Sequence, residues 1–265
     1  MSRTPLVAGN WKMNQNQSTG LALINSFVQK VDMKQDVDVA VCPPFTLLAK
    51  VREALNSTHI QLGAQDVFWA DHGAFTGSIS APMLTEFCVS FCIVGHSETR
   101  GRFGKLEVEE DTIGYFAETN KTVNLKIKSL LYHGINPILC VGETLAEREA
   151  GKTESAIKTQ LDEGLAGIDG AELHTLVIAY EPVWAIGTGK TCASDEAERI
   201  CGFIRDWVAK NYPEDDLAND VRVLYGGSVK AANSKELFSQ PNIDGGLVGG
   251  ASLDPTEFAA IVANA

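Results

Sequence analysis

The sequence predicts one α/β domain in which eight parallel strands close into a (β/α)₈ barrel. Short apolar runs rich in β-branched residues recur eight times along the chain, and amphipathic helical stretches separate them. Several of these runs are continuously hydrophobic, which is typical of parallel strands buried on both faces. No proline-rich, serine-rich or low-complexity linker divides the 265 residues, a length that α/β barrels commonly reach as a single domain over residues 1–265.

The strands and the clearest helix starts follow in chain order. The predicted strands are residues 6–10, 37–42, 60–64, 91–95, 136–141, 175–180, 221–226 and 245–248. Thr144 precedes a glutamate-rich helix, residues 194–196 begin a helix that runs toward Trp207, and Asp254 with Pro255 begins the last helix.

Eight strands alternating with helices also fit an open, doubly wound sheet. No G-x-G-x-x-G motif follows the first strand, which weakens the case for a dinucleotide-binding sheet. We therefore favour the closed barrel, in which the active site lies at the carboxyl ends of the strands.

Composition and charge narrow the classes of partner. Hydrophobic residues make up 45% of the chain, and no apolar run approaches the length of a membrane span. Residues 1–10 lack a secretory pattern, so we expect a cytoplasmic protein. The formal net charge of −12 argues against nucleic acid or an acidic membrane as partner. Any phosphate ligand is then expected to be held by local donors such as backbone amides.

The cysteines indicate packing rather than cross-linking. Six are spread along the chain without the close pairs of a zinc site. We expect reduced, buried thiols, and neither disulfides nor a metal. Those in or beside apolar runs are Cys42, Cys88, Cys92 and Cys140.

Polar residues follow five of the predicted strands at the point where each strand ends. If the barrel is closed, all of them lie on one rim. They are Asn10 and Lys12 after the first strand, His96 and Glu98 after the fourth, Glu181 after the sixth, Ser228 after the seventh, and Gly249 and Gly250 after the eighth.

Five segments that contain these residues resemble the motifs of the triosephosphate isomerase family, in the family's order. They are residues 7–14, 95–98, 179–190, 225–229 and 247–253. The resemblance spans nearly the whole chain. It implies a TIM-barrel homodimer of glycolysis and gluconeogenesis that interconverts dihydroxyacetone phosphate and D-glyceraldehyde 3-phosphate without a cofactor or a metal.

The resemblance implies three catalytic residues. Glu181 would be the base that moves a proton between two carbons, a task that needs a carboxylate whose pKa is tuned by a dry site. His96, as a neutral imidazole, would donate a hydrogen bond to the developing enediolate, although a strand-end histidine is by itself more often structural. Lys12 would stabilise the oxyanion and attract the phosphate.

The resemblance also implies the binding residues. Asn10 would bind a substrate oxygen or orient Lys12, and Glu98 would support the site. The long loop of residues 65–82 would reach into a neighbouring subunit and place Thr76 near the active site there, which is why the resemblance implies a homodimer. The phosphate cradle would comprise Gly187, Ser228, Gly249 and Gly250, because backbone amides approach an anion only where side chains are absent. Residues 182–190 would form a lid that excludes water from the reactive intermediate.

Two features depart from the family pattern. The family usually has a glutamate and a second arginine where this chain has Ser78 and Thr99, which we interpret as a coordinated loss that leaves the dimer intact. The chain also has an insertion after Arg100, near residues 104–115 and including Glu107. We interpret it as a solvent-exposed loop, with a regulatory or extra oligomeric contact as the alternative.

The sequence argues against two other functions. Another phosphate-binding barrel isomerase would retain the glycines after the eighth strand, but has no need for the lid after Glu181 or for the Asn10 and Lys12 pair. A non-catalytic phosphosugar-binding scaffold would be expected to lack Glu181, His96 or Lys12, and all three are present.

Overall fold

The computed structural model describes residues 3–31, 36–105, 108–213 and 216–265. Eight parallel strands close into a barrel in which each strand pairs with its neighbours in the sequence and β8 pairs with β1. The strands are β1 (Leu6–Asn10), β2 (Asp38–Cys42), β3 (Gln61–Ala64), β4 (Phe91–Val94), β5 (Asn136–Val141), β6 (Val177–Tyr180), β7 (Arg222–Tyr225) and β8 (Gly245–Val248). The predicted fold class is confirmed.

The predicted strands and the observed ones differ only at their ends. β1, β5 and β8 have the predicted bounds. β2, β3, β4 and β6 are shorter by one or two residues at one end, and β7 is shorter by one residue at each end. β4 stops before Gly95 because that glycine has a φ of 69°, which a strand does not accommodate. The chain therefore turns sharply at the point where the polar residues of the rim begin.

Helices cover the outside of the barrel. They are α1 (Gln17–Val31), α2 (Leu48–Ala54), α3 (Ala81–Thr85), α4 (Asn120–Tyr132), α5 (Leu145–Glu149), α6 (Thr153–Gly164), α7 (Ser194–Asn211), α8 (Ala231–Phe238) and α9 (Pro255–Ala263). Thr144 and Glu147 form a reciprocal capping box at α5, and the Asp254 carboxylate caps α9. The three helix starts predicted from the sequence are thus present. Within the described residues, no helix has the length and apolarity that crossing a membrane requires.

Two apolar layers hold the barrel together. Alternate strand residues such as Ala8, Ile93 and Ile138 fill the interior, and the intervening residues pack against the helices. Cys42 and Cys140 belong to the interior layer. Burial raises the pKa of the Cys42 thiol to about 12, so this residue acts as a packing group.

One cysteine prediction was wrong. All six thiols are free, and five are buried, but Cys88 is exposed. It follows α3 in a left-handed conformation with a φ of 54°, which turns the chain toward β4 and leaves the side chain at the surface. The apolar residues around it in the sequence did not reveal this turn.

Two long connections rise from the rim. Residues 65–80 join β3 to α3, and residues 71–78 of this loop are exposed. The second leaves β4 and includes a 3₁₀ helix at Glu110–Tyr115 before α4. We call residues 101–105 and 108–116 the β4 extension. Its residues 108–112 are exposed, as the predicted excursion requires, whereas Glu107 falls outside the described residues.

Candidate active site

The Glu181 carboxylate is buried at the carboxyl end of β6. Its Oε2 accepts a hydrogen bond from the Ser97 backbone N–H at 2.9 Å, and its Oε1 lies 2.8 Å from His96 Nε2. Glycines after β5 and β7, the two strands that flank β6, leave space for Glu181. A Cβ at Gly142 would overlap the Glu181 carbonyl, and one at Gly226 would lie 3.1 Å from Glu181 Cγ.

Opposing effects act on the pKa of Glu181. Burial alone raises it, but the charge and contact of His96, the Ser97 N–H and the charge of Lys12 together outweigh burial and lower it. These donors act only while the carboxylate stays beside them. A movement of the carboxylate away from them into the site would leave burial dominant and make Glu181 a stronger base.

His96 is buried at the carboxyl end of β4, and its ring has a defined tautomer. Its Nδ1 accepts a hydrogen bond from the Glu98 backbone N–H at 3.1 Å, so a neutral ring carries its proton on Nε2, which faces Glu181. Burial lowers the pKa of His96, but the neighbouring Glu181 carboxylate outweighs burial and raises it. That increase depends on the contact with Glu181, and the bond to Nδ1 opposes a second proton.

Lys12 follows β1 in a left-handed conformation with a φ of 51°. This conformation costs a residue with a side chain on the order of 1–3 kcal/mol, and it persists where neighbours enforce it. Asn10 Oδ1 accepts the Lys12 backbone N–H at 3.0 Å, and Gln65 Nε2 donates to the Lys12 carbonyl at 2.9 Å. The same Gln65 amide donates to the Cys42 carbonyl at 2.9 Å. Both sides of the Lys12 backbone are thus held.

The Lys12 side chain crosses the mouth of the barrel. Its Nζ lies 2.5 Å from Glu98 Oε1, which links the ends of β1 and β4. A Cβ at Gly249 would lie 3.4 Å from Lys12 Cε, so the ammonium group also lies close to the glycines that follow β8. One cation therefore faces both the Glu98 carboxylate and the candidate phosphate site.

The glycines after β8 leave backbone amides accessible. Gly249 precedes a 3₁₀ turn at Gly250–Leu253, and a Cβ at Gly250 or Gly187 would meet no atom of the described residues within 4 Å. Ser252 Oγ donates to the Gly249 carbonyl at 2.7 Å and fixes the turn. An open backbone at the start of a helical turn is an arrangement that suits an anion.

The predicted lid begins with a firmly anchored turn at Val183–Ala185. Trp184 Nε1 donates to Oε1 of the buried Glu143 at 2.8 Å, and the Arg148 guanidinium lies 4.5 Å from the Trp184 ring centroid. Ser228 Oγ donates to the Ala185 carbonyl at 3.3 Å. Gly187 and Gly189 follow with φ angles of 70° and 77°. The start of the lid is therefore fixed, and its glycines permit a change of backbone direction.

The structure brings most of the predicted site residues to one rim, but not all of them. Asn10, Lys12, His96, Glu98 and Glu181 are joined by the contacts described above. Thr76 is exposed in the loop after β3 and makes no hydrogen bond within the part of the chain that is described. Its predicted supporting role, at the site of a neighbouring subunit, stays a prediction.

Sequence reasoning missed three residues that shape the site. Gln65 holds Lys12, Glu143 holds the lid, and the buried Gln160 of α6 bonds both the N–H and the carbonyl of Gly142, at 2.8 and 2.9 Å. Gln65 directly follows β3, and Glu143 lies two residues after the end of β5, at the same rim. Their positions could have identified them. Gln160 lies inside a helix, and nothing in its sequence context indicates its role.

Comparison with known proteins agrees with this geometry. A family model described as triosephosphate isomerase matches residues 5–265. Similar relatives, each called triosephosphate isomerase, include proteins of Carboxydothermus hydrogenoformans (46% identity, covering 98% of both chains) and Synechococcus sp. strain JA-3-3Ab (48% identity, covering 98% of this chain and 94% of the relative). A third, from Lactobacillus delbrueckii subsp. bulgaricus, is 44% identical over 99% of this chain and 98% of its own. The chain belongs to the triosephosphate isomerase family.

Proposed function

We propose that this protein interconverts dihydroxyacetone phosphate and D-glyceraldehyde 3-phosphate, a step of glycolysis and gluconeogenesis, with Glu181 as the base. The observation that carries the proposal is the buried Glu181 carboxylate beside His96 Nε2, at the rim where Lys12 and the lid also lie. The family match over residues 5–265 supports the same reaction. It does not favour another barrel isomerase or a non-catalytic scaffold.

The proposed reaction moves one proton between adjacent carbons. Glu181 removes a proton from the carbon beside the carbonyl, and the electron pair of that C–H bond forms the enediolate. His96 Nε2–H donates a hydrogen bond to the substrate oxygens, and the Lys12 ammonium stabilises their negative charge. While the enediolate is bound, the hydroxyl proton moves from one substrate oxygen to the other. Glu181 then returns the carbon-bound proton to the neighbouring carbon, so the protein ends unchanged.

The substrate has to displace Glu181 from its resting partners. In the structure the carboxylate is bound to the Ser97 N–H, which keeps it weakly basic. A substrate placed between Glu181 and His96 would take over the His96 Nε2–H and free the carboxylate for the carbon. Closure of the lid would remove water from the same space, which favours proton transfer over side reactions.

We propose that the phosphate lies at Gly249 and Gly250, with Ser228 and the lid residue Gly187 closing the cradle. The open backbone at Gly250 and the Lys12 ammonium beside Gly249 support this location. Local donors of this kind bind a dianion even though the chain has a net charge of −12.

The proposal extends to a homodimer. Phe75 and Met13 are 45% and 96% exposed, and apolar side chains of this size are usually covered. The loop after β3 would extend into the neighbouring subunit and bring Thr76 close to its site. Thr99, which stands where the family usually has an arginine, is paired within its own chain. Its hydroxyl donates to Glu118 Oε2 at 2.5 Å. The Thr99 hydroxyl is therefore satisfied within the chain.

We also propose a cytoplasmic location. A glycolytic reaction and six free thiols, five of them buried, both suit a reducing compartment.

A coupled isomerase assay on the purified protein and on Glu181→Asp tests the proposed reaction. Shortening the side chain withdraws the carboxylate by about 1 Å, and a misplacement of that size can cost on the order of 10²-fold in rate. We expect rapid turnover by the parent and a loss of that order in kcat for the variant. A parent without isomerase activity, or a variant as fast as the parent, would contradict the proposal.

A further inference from the structure

The β4 extension contacts the lid. Gly104 lies so close to it that an added Cβ would sit 2.5 Å from the Ile186 carbonyl oxygen and would overlap that of Val183. The same Cβ would lie 3.1 Å from Thr188 Cγ2. One glycine thus meets the beginning and the middle of the lid. The side chain of any other residue would force the two segments apart, because backbone carbonyls cannot rotate away as a flexible side chain can.

The base of the β4 extension is attached to the barrel. The Arg102 guanidinium forms an ion pair with Glu147 of α5, the helix that follows β5. The Arg102 backbone N–H donates to the Ser97 carbonyl at 2.9 Å. Arg102 also lines a small cavity beside Glu181 and Val183, the first residue of the turn that begins the lid. The extension therefore crosses the end of β5 before it reaches the lid.

Contacts within the β4 extension hold its two ends together. The rings of Phe103 and Phe116 meet edge to face, with 5.4 Å between their centroids. A Cβ at Gly101 would lie 2.9 Å from the Phe116 carbonyl oxygen, so the two ends of the extension are close together. By contrast, Gly114 of the same extension has no atom of the described residues within 4 Å of its potential Cβ.

The lid is consequently contacted from two sides. Ser228, after β7, binds the Ala185 carbonyl, and Gly104, which reaches over β5, packs against the carbonyls of Val183 and Ile186. β5 and β7 are the two neighbours of β6, the strand from which the lid emerges. Ser228 is part of the proposed cradle, whereas the β4 extension has no place in the proposed chemistry.

We propose that the β4 extension is a positioning element for the lid, with Gly104 as its contact and Arg102 as its anchor. This inference rests on the proposed function and deepens it. A correctly placed lid keeps the enediolate phosphate in a geometry that protects its carbon–oxygen bond. When the lid is displaced, the electron pair of the enediolate forms a carbon–carbon double bond to the carbon that bears the phosphate. The carbon–oxygen bond breaks, inorganic phosphate leaves with its electron pair, and an enol aldehyde remains. The ratio of phosphate released to product isomerised therefore reports the position of the lid.

The first test compares Gly104→Ala with the matched control Gly114→Ala. Both add one methyl group to the same extension, but only the first meets the lid. We expect Gly104→Ala to lower kcat/KM about tenfold, as small displacements in a site do, and to increase the released phosphate per turnover. Gly114→Ala should match the parent in both. Equal values for all three proteins would overturn the inference, while isomerisation by the parent would leave the proposed function intact.

The second test removes the anchor without adding bulk. Arg102→Gln should reproduce the lower kcat/KM and the increased phosphate release, and Arg102→Lys, which keeps the cation opposite Glu147, should restore most of the parental values. The pH profile of kcat/KM should not shift in either variant, because the extension acts through the lid and not through its charge. If Arg102→Gln behaves like the parent, or if it shifts the pH profile, the extension does not position the lid.

Discussion

Lys12 has a strained, left-handed backbone conformation that hydrogen bonds with neighbouring residues stabilise. Asn10 holds the N–H and Gln65 holds the carbonyl, so the ammonium group starts from a fixed point. Glu181 is held in the same way. Burial raises the pKa of its carboxylate, but His96 and the Ser97 N–H fix its position and help to lower that pKa. At the scale of single residues, the site is held by hydrogen bonds from side chains and backbone amides that do not themselves react.

Replacing Gln65 by leucine tests the support of Lys12. The change removes two partly buried hydrogen bonds, each worth about 0.5–1.5 kcal/mol, and should lower the free energy of unfolding accordingly. We expect kcat/KM to fall about tenfold as Lys12 shifts. Gln61→Leu, the same change at the opposite end of β3, is the control for catalysis and should leave kcat/KM unchanged. A Gln65→Leu enzyme with parental kinetics would show that Lys12 needs no such support.

The lowered pKa of Glu181 predicts how stability depends on pH. A carboxyl whose pKa falls on folding contributes stability above its unfolded pKa, near 4.3, and loses that contribution as the pH falls through the lower folded value. The parent should therefore lose stability relative to Glu181→Gln as the pH is lowered from about 5 toward the folded pKa. Chemical denaturation of both proteins across this range provides the measurement. An advantage of the parent that grows in acid would mean that the folded pKa is raised.

At the scale of elements, the lid depends on its attachment to β5. Glu143 is fully buried just after that strand, and burial raises its pKa even though Trp184, Tyr180 and Arg148 act to lower it. Its Oε1 accepts from Trp184, whereas its Oε2 has no hydrogen-bond partner among the described residues. The indole is therefore a major part of what satisfies this buried group.

Comparing Trp184→Phe with Trp207→Phe tests whether Trp184 anchors the lid or only contributes to the stability of the fold. Each removes an indole N–H that donates to a carboxylate, Glu143 at 2.8 Å and Asp162 at 2.9 Å. Both should cost about 1–3 kcal/mol in the free energy of unfolding. Only Trp184→Phe should alter catalysis, lowering kcat/KM about tenfold because the lid begins from a loosened turn. Equal kinetic effects in the two variants would argue against the anchor.

At the scale of the whole molecule, the loop after β3 exposes aromatic side chains on a protein that is otherwise strongly acidic. Within the exposed loop after β3, Phe68 stacks on Trp69 with ring centroids 4.0 Å apart and packs at a tilt against Phe75 with centroids 4.4 Å apart. An apolar loop in a chain with a net charge of −12 is suited to insertion into another surface. This is the basis for the proposed homodimer.

Light scattering over a dilution series tests the dimer. The parent should have twice the mass of one 28.5 kDa chain. Phe75→Lys should shift the protein toward the monomer and reduce its activity, because a charge would be buried without a partner. Tyr132→Lys, at a residue that is 84% exposed on another element, should leave the dimer unchanged. A monomeric parent at every concentration would overturn the proposal.

The sequence by itself determined the barrel and most of the rim. Apolar runs of strand length specify buried parallel strands, and the polar residue that ends each run, such as Lys12, His96 or Glu181, must then lie at the carboxyl edge. Periodicity cannot place a backbone turn, so it missed the exposure of Cys88. Only the tertiary structure decided that Gln65 supports Lys12, that Glu143 anchors the lid and that Gly104 touches it. Those contacts join segments far apart in the chain, and their geometry depends on how the closed barrel brings strand ends together.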